Sequence, residues 1–216
     1  DQSYFLCRLN QQQLNNALFP IGHLHKHQIR EIAKHNGVPV HQKKDSTGIC
    51  FIGERKFNDF LSQYLLDRPG DIVEKDTGKT LGTHHGLIYY TIGQRKGLNI
   101  PAKNEQSRPW FVVDKDLATQ TLFVAQSEDN PALFNQNLVA TQLHWVGEPL
   151  LAKSMIGAKI RYRQPTQEAT ITQVENDRIQ INFTAPQRAI TPGQYVVLYQ
   201  ENQLMGSAVI QRAGTW

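Results

Sequence analysis

Ala169-Thr170-Ile171-Thr172-Gln173-Val174-Glu175-Asn176-Asp177-Arg178-Ile179-Gln180-Ile181-Asn182-Phe183 is the stretch that decides the fold class. Two short runs with strand composition, Ala169–Val174 and Ile179–Phe183, flank Asn176-Asp177, residues that favour a tight turn. The same texture continues outward. Lys159–Arg163 and Tyr195–Tyr199 are further short runs, Glu201-Asn202 marks the next turn, and Ser207–Gln211 reads as a last strand. Evenly spaced short strands that end in turns predict a small antiparallel β-barrel over residues 129–216. Upstream, Ile72-Val73-Glu74 and Thr80-Leu81-Gly82 flank Asp76-Thr77-Gly78, a hairpin signal, and Trp110–Val113 and Thr121–Val124 flank another polar turn. These predict a central β-containing domain over 67–128. The boundaries fall near 66 and 128, where Pro69-Gly70 and Glu128-Asp129-Asn130-Pro131 interrupt the pattern.

Residues 1–66 have a different character. Ser3-Tyr4-Phe5-Leu6-Cys7-Arg8-Leu9 reads as a strand. The spacing of Ile29, Ile32 and Ala33 predicts a helix from about Lys26 to Asn36, stopped by Gly37. A second helix is expected from about Lys56, with Phe57, Phe60, Leu61, Tyr64 and Leu65 on one face. The fold class is therefore mixed α and β, with the β-rich part at the C-terminal end.

Of the 216 residues, 39% are apolar and 19% charged, enough apolar material to bury a core. No run approaches the roughly 20 apolar residues that span a bilayer, and no signal peptide is evident, so a soluble cytoplasmic protein without membrane association is expected. The net charge of +4 is uneven: residues 1–60 carry eight basic and five acidic side chains, residues 125–216 seven of each. Such an excess reads either as a solvated basic face or as the footprint of a polyanionic partner. The two cysteines, Cys7 and Cys50, are too few for a disulfide scaffold.

Cys50 is the first candidate for chemistry. Lys43 and Lys44 precede it and Arg55 and Lys56 follow it, all within seven residues, and nearby cations favour the reactive thiolate. Gly48 and Gly53 bracket it. The competing reading is an inert buried thiol in an apolar strand, which is the stronger reading for Cys7. His23, His25 and His27 invite a metal assignment, but a zinc site needs more ligands than Glu31 supplies, so solvated or capping histidines are expected and no metal is assigned. Gly93-Gln94-Arg95-Lys96-Gly97 reads as a tight turn presenting two cations, to a phosphate or a folded RNA surface or simply to solvent. Arg161 and Arg163 are expected to share one strand face beside Tyr162, and Thr191-Pro192-Gly193-Gln194-Tyr195 to expose Gln194 at a strand start.

Several of these stretches together resemble the tRNA-specific 2-thiouridylase family: Asp1-Gln2-Ser3-Tyr4-Phe5-Leu6, the run Lys44 to Arg55 around Cys50, Gly86-Leu87 through Tyr90 to Leu98, Arg161-Tyr162-Arg163 and Pro192-Gly193-Gln194. The resemblance implies that residues 1–66 form the helical tail of an α/β nucleotide-binding domain, followed by the central domain and the barrel. It implies that ATP with magnesium activates C2 of the wobble uridine of a tRNA, and that Cys50 carries a persulfide whose sulfur becomes that of 2-thiouridine. It places tRNA contacts on Asp1, Gln2, Arg161, Tyr162 and Gln194, and implies a cysteine desulfurase and a sulfur-relay protein as the sulfur source. A disulfide between Cys50 and a cysteine of the family's N-terminal domain is also implied. The family's Ser-Gly-Gly-x-Asp-Ser loop and Cys-Asn context are absent from this sequence. The chain by itself is therefore expected to hold no ATP site, metal or organic cofactor, and not to thiolate tRNA. A stand-alone RNA-binding barrel without catalysis is the alternative, and a cysteine hydrolase a third reading that lacks any signature.

Overall fold

The computed structural model describes residues 3–44, 68–101 and 108–216. Cys50, Asp1, Gln2 and the helix expected from Lys56 lie outside the described residues. The chain divides into two compact units, Gln12–Leu66 and a larger one made of Asp1–Gln11 with Asp67–Trp216.

The short helix α1 (Gln11–Asn15) begins at the boundary between the two units and is followed, in the smaller one, by α2 (Lys26–His35), where the apolar spacing predicts it. Its end is a Schellman arrangement: Gly37 adopts φ +66°, its N–H donates to the Lys34 carbonyl, and that of Val38 reaches back to Ala33. Ile29 is half-buried and Ile32 exposed. His25 stands just before the first turn, its backbone N–H donating to Gln28 Oε1 at 2.8 Å, and His23 lies ahead of the helix.

In the larger unit, β1 (Gly70–Glu74), β2 (Thr80–His84), β3 (Trp110–Asp116) and β4 (Thr121–Gln126) form a four-stranded sheet in the order β2-β1-β4-β3. Both predicted hairpins are present. They join through a parallel β1–β4 pairing that puts Ile72 beside Leu122 and Glu74 beside Val124. Ile72, Leu87, Tyr90, Leu98, Val112, Leu122 and Val124 fill the core on one side of it.

The C-terminal part is the predicted barrel, closed by six antiparallel strands in the order β10-β5-β8-β7-β6-β9: β5 (Phe134–Trp145), β6 (Met155–Lys159), β7 (Gln167–Glu175), β8 (Arg178–Arg188), β9 (Tyr195–Gln200) and β10 (Gln203–Ala213). Alternate residues point inward, so Ile179, Ile181 and Phe183 of β8 meet Ile171 of β7, Leu198 of β9 and Ile210 of β10 in one core. Asn176 and Glu201 occupy left-handed turn positions between strands, at φ +48° and +52°.

Three expectations are corrected. Ser3–Leu9 is no strand: Ser3–Leu6 is a 3-10 turn, continued by the Leu9 N–H donating to the Leu6 carbonyl at 3.0 Å. A period of three puts Tyr4 and Cys7 on one side, whereas a strand would send them to opposite faces. The strand expected at Lys159–Arg163 lies upstream, as β6, and Ile160–Gln164 is a turn held by its own side chain, the Ile160 N–H donating to Gln164 Oε1 at 3.0 Å. Arg161 and Arg163 therefore do not share a strand face. The long strand β5 has no counterpart in the sequence reading.

Sheet and barrel meet where Phe111, Val113 and Ala125 pack against Leu133 and Ala189. Gly93, at φ +84°, sits at this junction, and a methyl added to it would lie 2.8 Å from Ala189 Cβ. Gly97, at φ +81°, has no atom nearer than 3.8 Å. Gly93→Ala is expected to cost about 2–3 kcal/mol, combining left-handed strain with overpacking, and Gly97→Ala about 1 kcal/mol. Urea unfolding of the two variants measures the difference, and equal losses would show that the contact is soft.

Candidate nucleic-acid interface

The segment Ser3–Gln11 is strapped across the barrel. Tyr4 and Cys7, 7% and 2% exposed, pack against Val197 and Tyr199 of β9. The Tyr4 hydroxyl donates to the Tyr195 carbonyl at 2.9 Å, Ser207 Oγ donates to the Cys7 carbonyl at 2.8 Å, and His144 Nε2 lies 3.0 Å from the Leu9 carbonyl. Arg8 donates to the Gln142 carbonyl at 2.7 Å with its guanidinium 5.8 Å from the centre of the Tyr195 ring. These contacts fix the strap from both sides.

Burial raises the Tyr4 phenol to about 12, with the neighbouring Cys7 and tyrosines adding to it. The Cys7 thiol is raised by burial too, against the opposing effects of Ser207 and Arg8. Cys7 is thus a protonated, shielded thiol at neutral pH, in keeping with its reading as a structural residue. Cys7 is a free cysteine, and the expected disulfide finds no support among the described residues.

Arg161 stands in the turn after β6. Its guanidinium donates to the Ala189 carbonyl at 2.8 Å. The residue as a whole is exposed, but desolvation of the guanidinium and the positive charge of Arg188 both lower its pKa. A second clasp holds the same turn to the end of β8, Gln164 Nε2 donating to Oε1 of the buried Gln187 at 2.7 Å. Tyr162 and Tyr195 both pack on the cluster formed by Tyr4, Cys7, Val197 and Tyr199. Through these two rings the structure brings the Arg161-Tyr162 turn and the Gln194-Tyr195 strand start to one region, and Gln194 is exposed there. Gly193, at φ +84°, makes the turn, with its N–H donating to the Ile210 carbonyl at 2.8 Å.

Two residues join this surface that the sequence reading missed. Arg188 lies over the Phe111 ring at 5.2 Å and donates to the Glu128 carbonyl at 3.3 Å. Arg8, exposed on the strap, is the other. Neither has a local motif; Arg188 is simply the last residue of a strand, and only closure of the barrel brings it near Arg161. Arg95 and Lys96 are exposed on the Gly93–Gly97 turn, as expected. The arrangement offers cations and aromatic rings on a rigid frame, the combination that contacts phosphates and stacks on bases.

Other features carry no site. His84 is buried, with Nε2 at 3.0 Å from the Gln120 carbonyl and its ring edge-on to Tyr90, while its Nδ1 lacks a partner among the described residues. His25 and His27 stack at 5.8 Å, and among the described residues no group of three His, Cys, Asp or Glu side chains gathers to hold a metal. Nor is any described helix long and apolar enough to cross a membrane.

Three family models match in succession: the tRNA methyl transferase HUP domain over residues 1–54, the tRNA methyl transferase PRC-barrel domain over 58–126 and the aminomethyltransferase beta-barrel domain over 135–210. The chain is 50% identical over 215 residues to the tRNA-specific 2-thiouridylase MnmA of Methylobacillus flagellatus, covering 99% of this chain and 59% of that protein. It is 51% identical over 212 residues to that of Nitrosomonas eutropha, 97% and 58%, and 49% identical over 213 residues to that of Proteus mirabilis, 98% and 58%. The chain belongs to the tRNA-specific 2-thiouridylase family. It spans about 59% of the length of the first of these 2-thiouridylases.

The strap gives a direct test of the buried phenol. A pKa raised in the folded state favours folding fully below the unfolded value near 10 and is lost as pH rises through about 12. Thermal melts should therefore show stability falling across pH 10–12. Tyr4→Phe is expected to lose about 1 kcal/mol at neutral pH, for the missing hydrogen bond, and to fall less steeply in the alkaline range. An unchanged alkaline slope in the variant would place that titration elsewhere.

Proposed function

We propose that this chain supplies the sulfur-carrying cysteine and a tRNA-gripping barrel to an enzyme that converts the wobble uridine of tRNA to 2-thiouridine in the cytoplasm. The observation that carries the reading is the identity of about half over nearly the whole chain to proteins named tRNA-specific 2-thiouridylase. The Arg161 surface supports it, offering exposed cations beside aromatic rings on a turn tied to the frame by its own hydrogen bonds. The working division remains 1–66 for the cysteine-bearing part, 67–128 for the sheet and 129–216 for the barrel.

In this reading the Cys50 thiolate attacks the outer sulfur of a persulfide on a sulfur-relay protein, itself charged by a cysteine desulfurase. A new S–S bond forms on Cys50, and the relay thiolate leaves. Lys43, Lys44, Arg55 and Lys56 favour the thiolate that this step needs. Delivery to C2 then requires an activated C2 oxygen and a second thiol. Cys7 does not supply that thiol, because it is buried and its pKa is raised. ATP with magnesium is the activator the family resemblance implies. The sequence contains no Ser-Gly-Gly-x-Asp-Ser loop to cradle its phosphates, so no activation step is assigned to residues of this chain.

On the RNA side, Arg161 meets a phosphate, Tyr162 and Gln194 flank it, and the family resemblance adds Asp1 and Gln2 as contacts.

Two outcomes test the proposal. After incubation with a desulfurase and its relay protein, mass spectrometry should find added sulfur on the Cys50 peptide and none on that of Cys7; loading of Cys7, or of both equally, would overturn the assignment. In gel-shift titrations over a range of salt, Arg161→Ala should weaken tRNA binding and reduce the slope of log affinity against log salt by roughly one unit, the share of one phosphate. Unchanged affinity and slope would remove Arg161 from the interface.

A further inference from the structure

Phe5 is 66% exposed, on a turn whose neighbours Tyr4 and Cys7 are buried against the barrel. Isolated exposed apolar residues are ordinary. Phe5 is not isolated. Its ring centre lies 4.3 Å from that of Tyr162, the planes inclined by 42°, and 6.0 Å from that of Tyr4, which it meets edge-on at 86°. The turn that carries it is clamped by the Tyr4 and Ser207 hydrogen bonds, so the ring needs little further ordering to receive a ligand. Arg161 adjoins Tyr162 in the chain, and Arg8 and Arg163 are exposed nearby in sequence. An aromatic face with a cation at its edge is the pattern that holds a single-stranded nucleotide, the base on the ring and the phosphate on the guanidinium.

We infer that Phe5, backed by Tyr162, is a stacking platform for one unpaired base of the bound RNA. The inference rests on the proposed tRNA binding and adds a residue and a mode of contact to it. Stacking involves no phosphate, so its loss weakens binding without altering the salt dependence.

The test compares the unaltered chain with Phe5→Ala, Phe5→Trp and Arg161→Ala, using bulk bacterial tRNA and a blunt RNA duplex as probes, with thermal melts to confirm folding. Phe5→Ala should bind tRNA roughly five- to 100-fold more weakly at an unchanged salt slope, and the duplex as the unaltered chain does. Phe5→Trp should keep its affinity and gain a tryptophan fluorescence signal that tRNA quenches. If Phe5→Ala binds tRNA normally while Arg161→Ala is weakened, the interface stands and the platform is overturned. Equal weakening toward tRNA and duplex, or no tRNA quenching in Phe5→Trp, overturns stacking in favour of a Phe5 covered by protein. No tRNA binding by the unaltered chain overturns the interface and the platform together.

Discussion

Ala189 ties three parts of the larger unit together. Its carbonyl accepts from the Arg161 guanidinium at 2.8 Å and from Thr191 Oγ1 at 2.9 Å, and its N–H donates to the Leu133 carbonyl. Its methyl group packs on Gly93 of the basic turn. The residue is 1% exposed and held at φ +53°, a conformation that a side chain other than glycine rarely takes. Such strain persists only where surrounding contacts impose it. Here they do so by linking the end of β8, the turn after β6 and the four-stranded sheet, so the position of Arg161 depends on sheet and barrel at once.

The second constraint is the strap. Tyr4 and Arg8 donate to backbone carbonyls of β9 and β5, and Ser207 of β10 donates to the Cys7 carbonyl. Three barrel strands thus fix a segment at the opposite end of the sequence. Cys7 serves this packing, which accounts for its burial and its raised pKa. Tyr4 and Tyr162 meet over β9, with ring centres 6.2 Å apart, so strap and arginine turn share one foundation.

Where local chemistry dominates, the sequence was readable. The Asn176-Asp177 and Asp76-Thr77-Gly78 turns and the α2 stop at Gly37 each follow from a few adjacent residues. Failures occurred where a distant contact overrides local preference. Ser3–Leu9 has strand composition, yet the barrel wall rewards a period of three that buries Tyr4 and Cys7 together. Ile160–Gln164 alternates like a strand, but Gln164 folds back on Ile160 and reaches Gln187, two contacts no window of sequence displays. β5 was hidden by its polar outward residues, including Asn135, Gln136 and Gln142, and only pairing with β8 and β10 on either side makes it a strand. Of the candidate site, Arg161, Tyr162 and Gln194 were named from the sequence and lie in one region; Arg188 and Arg8 required the fold.

The proposed RNA surface lies over the strap and the Arg161 turn. Ultraviolet cross-linking of the chain to bacterial tRNA, followed by mass spectrometry of the nucleotide-bearing peptides, tests it most directly. Adducts are expected within residues 3–11, 160–164 and 188–195. Adducts confined to the other end of β8, at the Asn176-Asp177 turn, with none on the Arg161 turn, would contradict it.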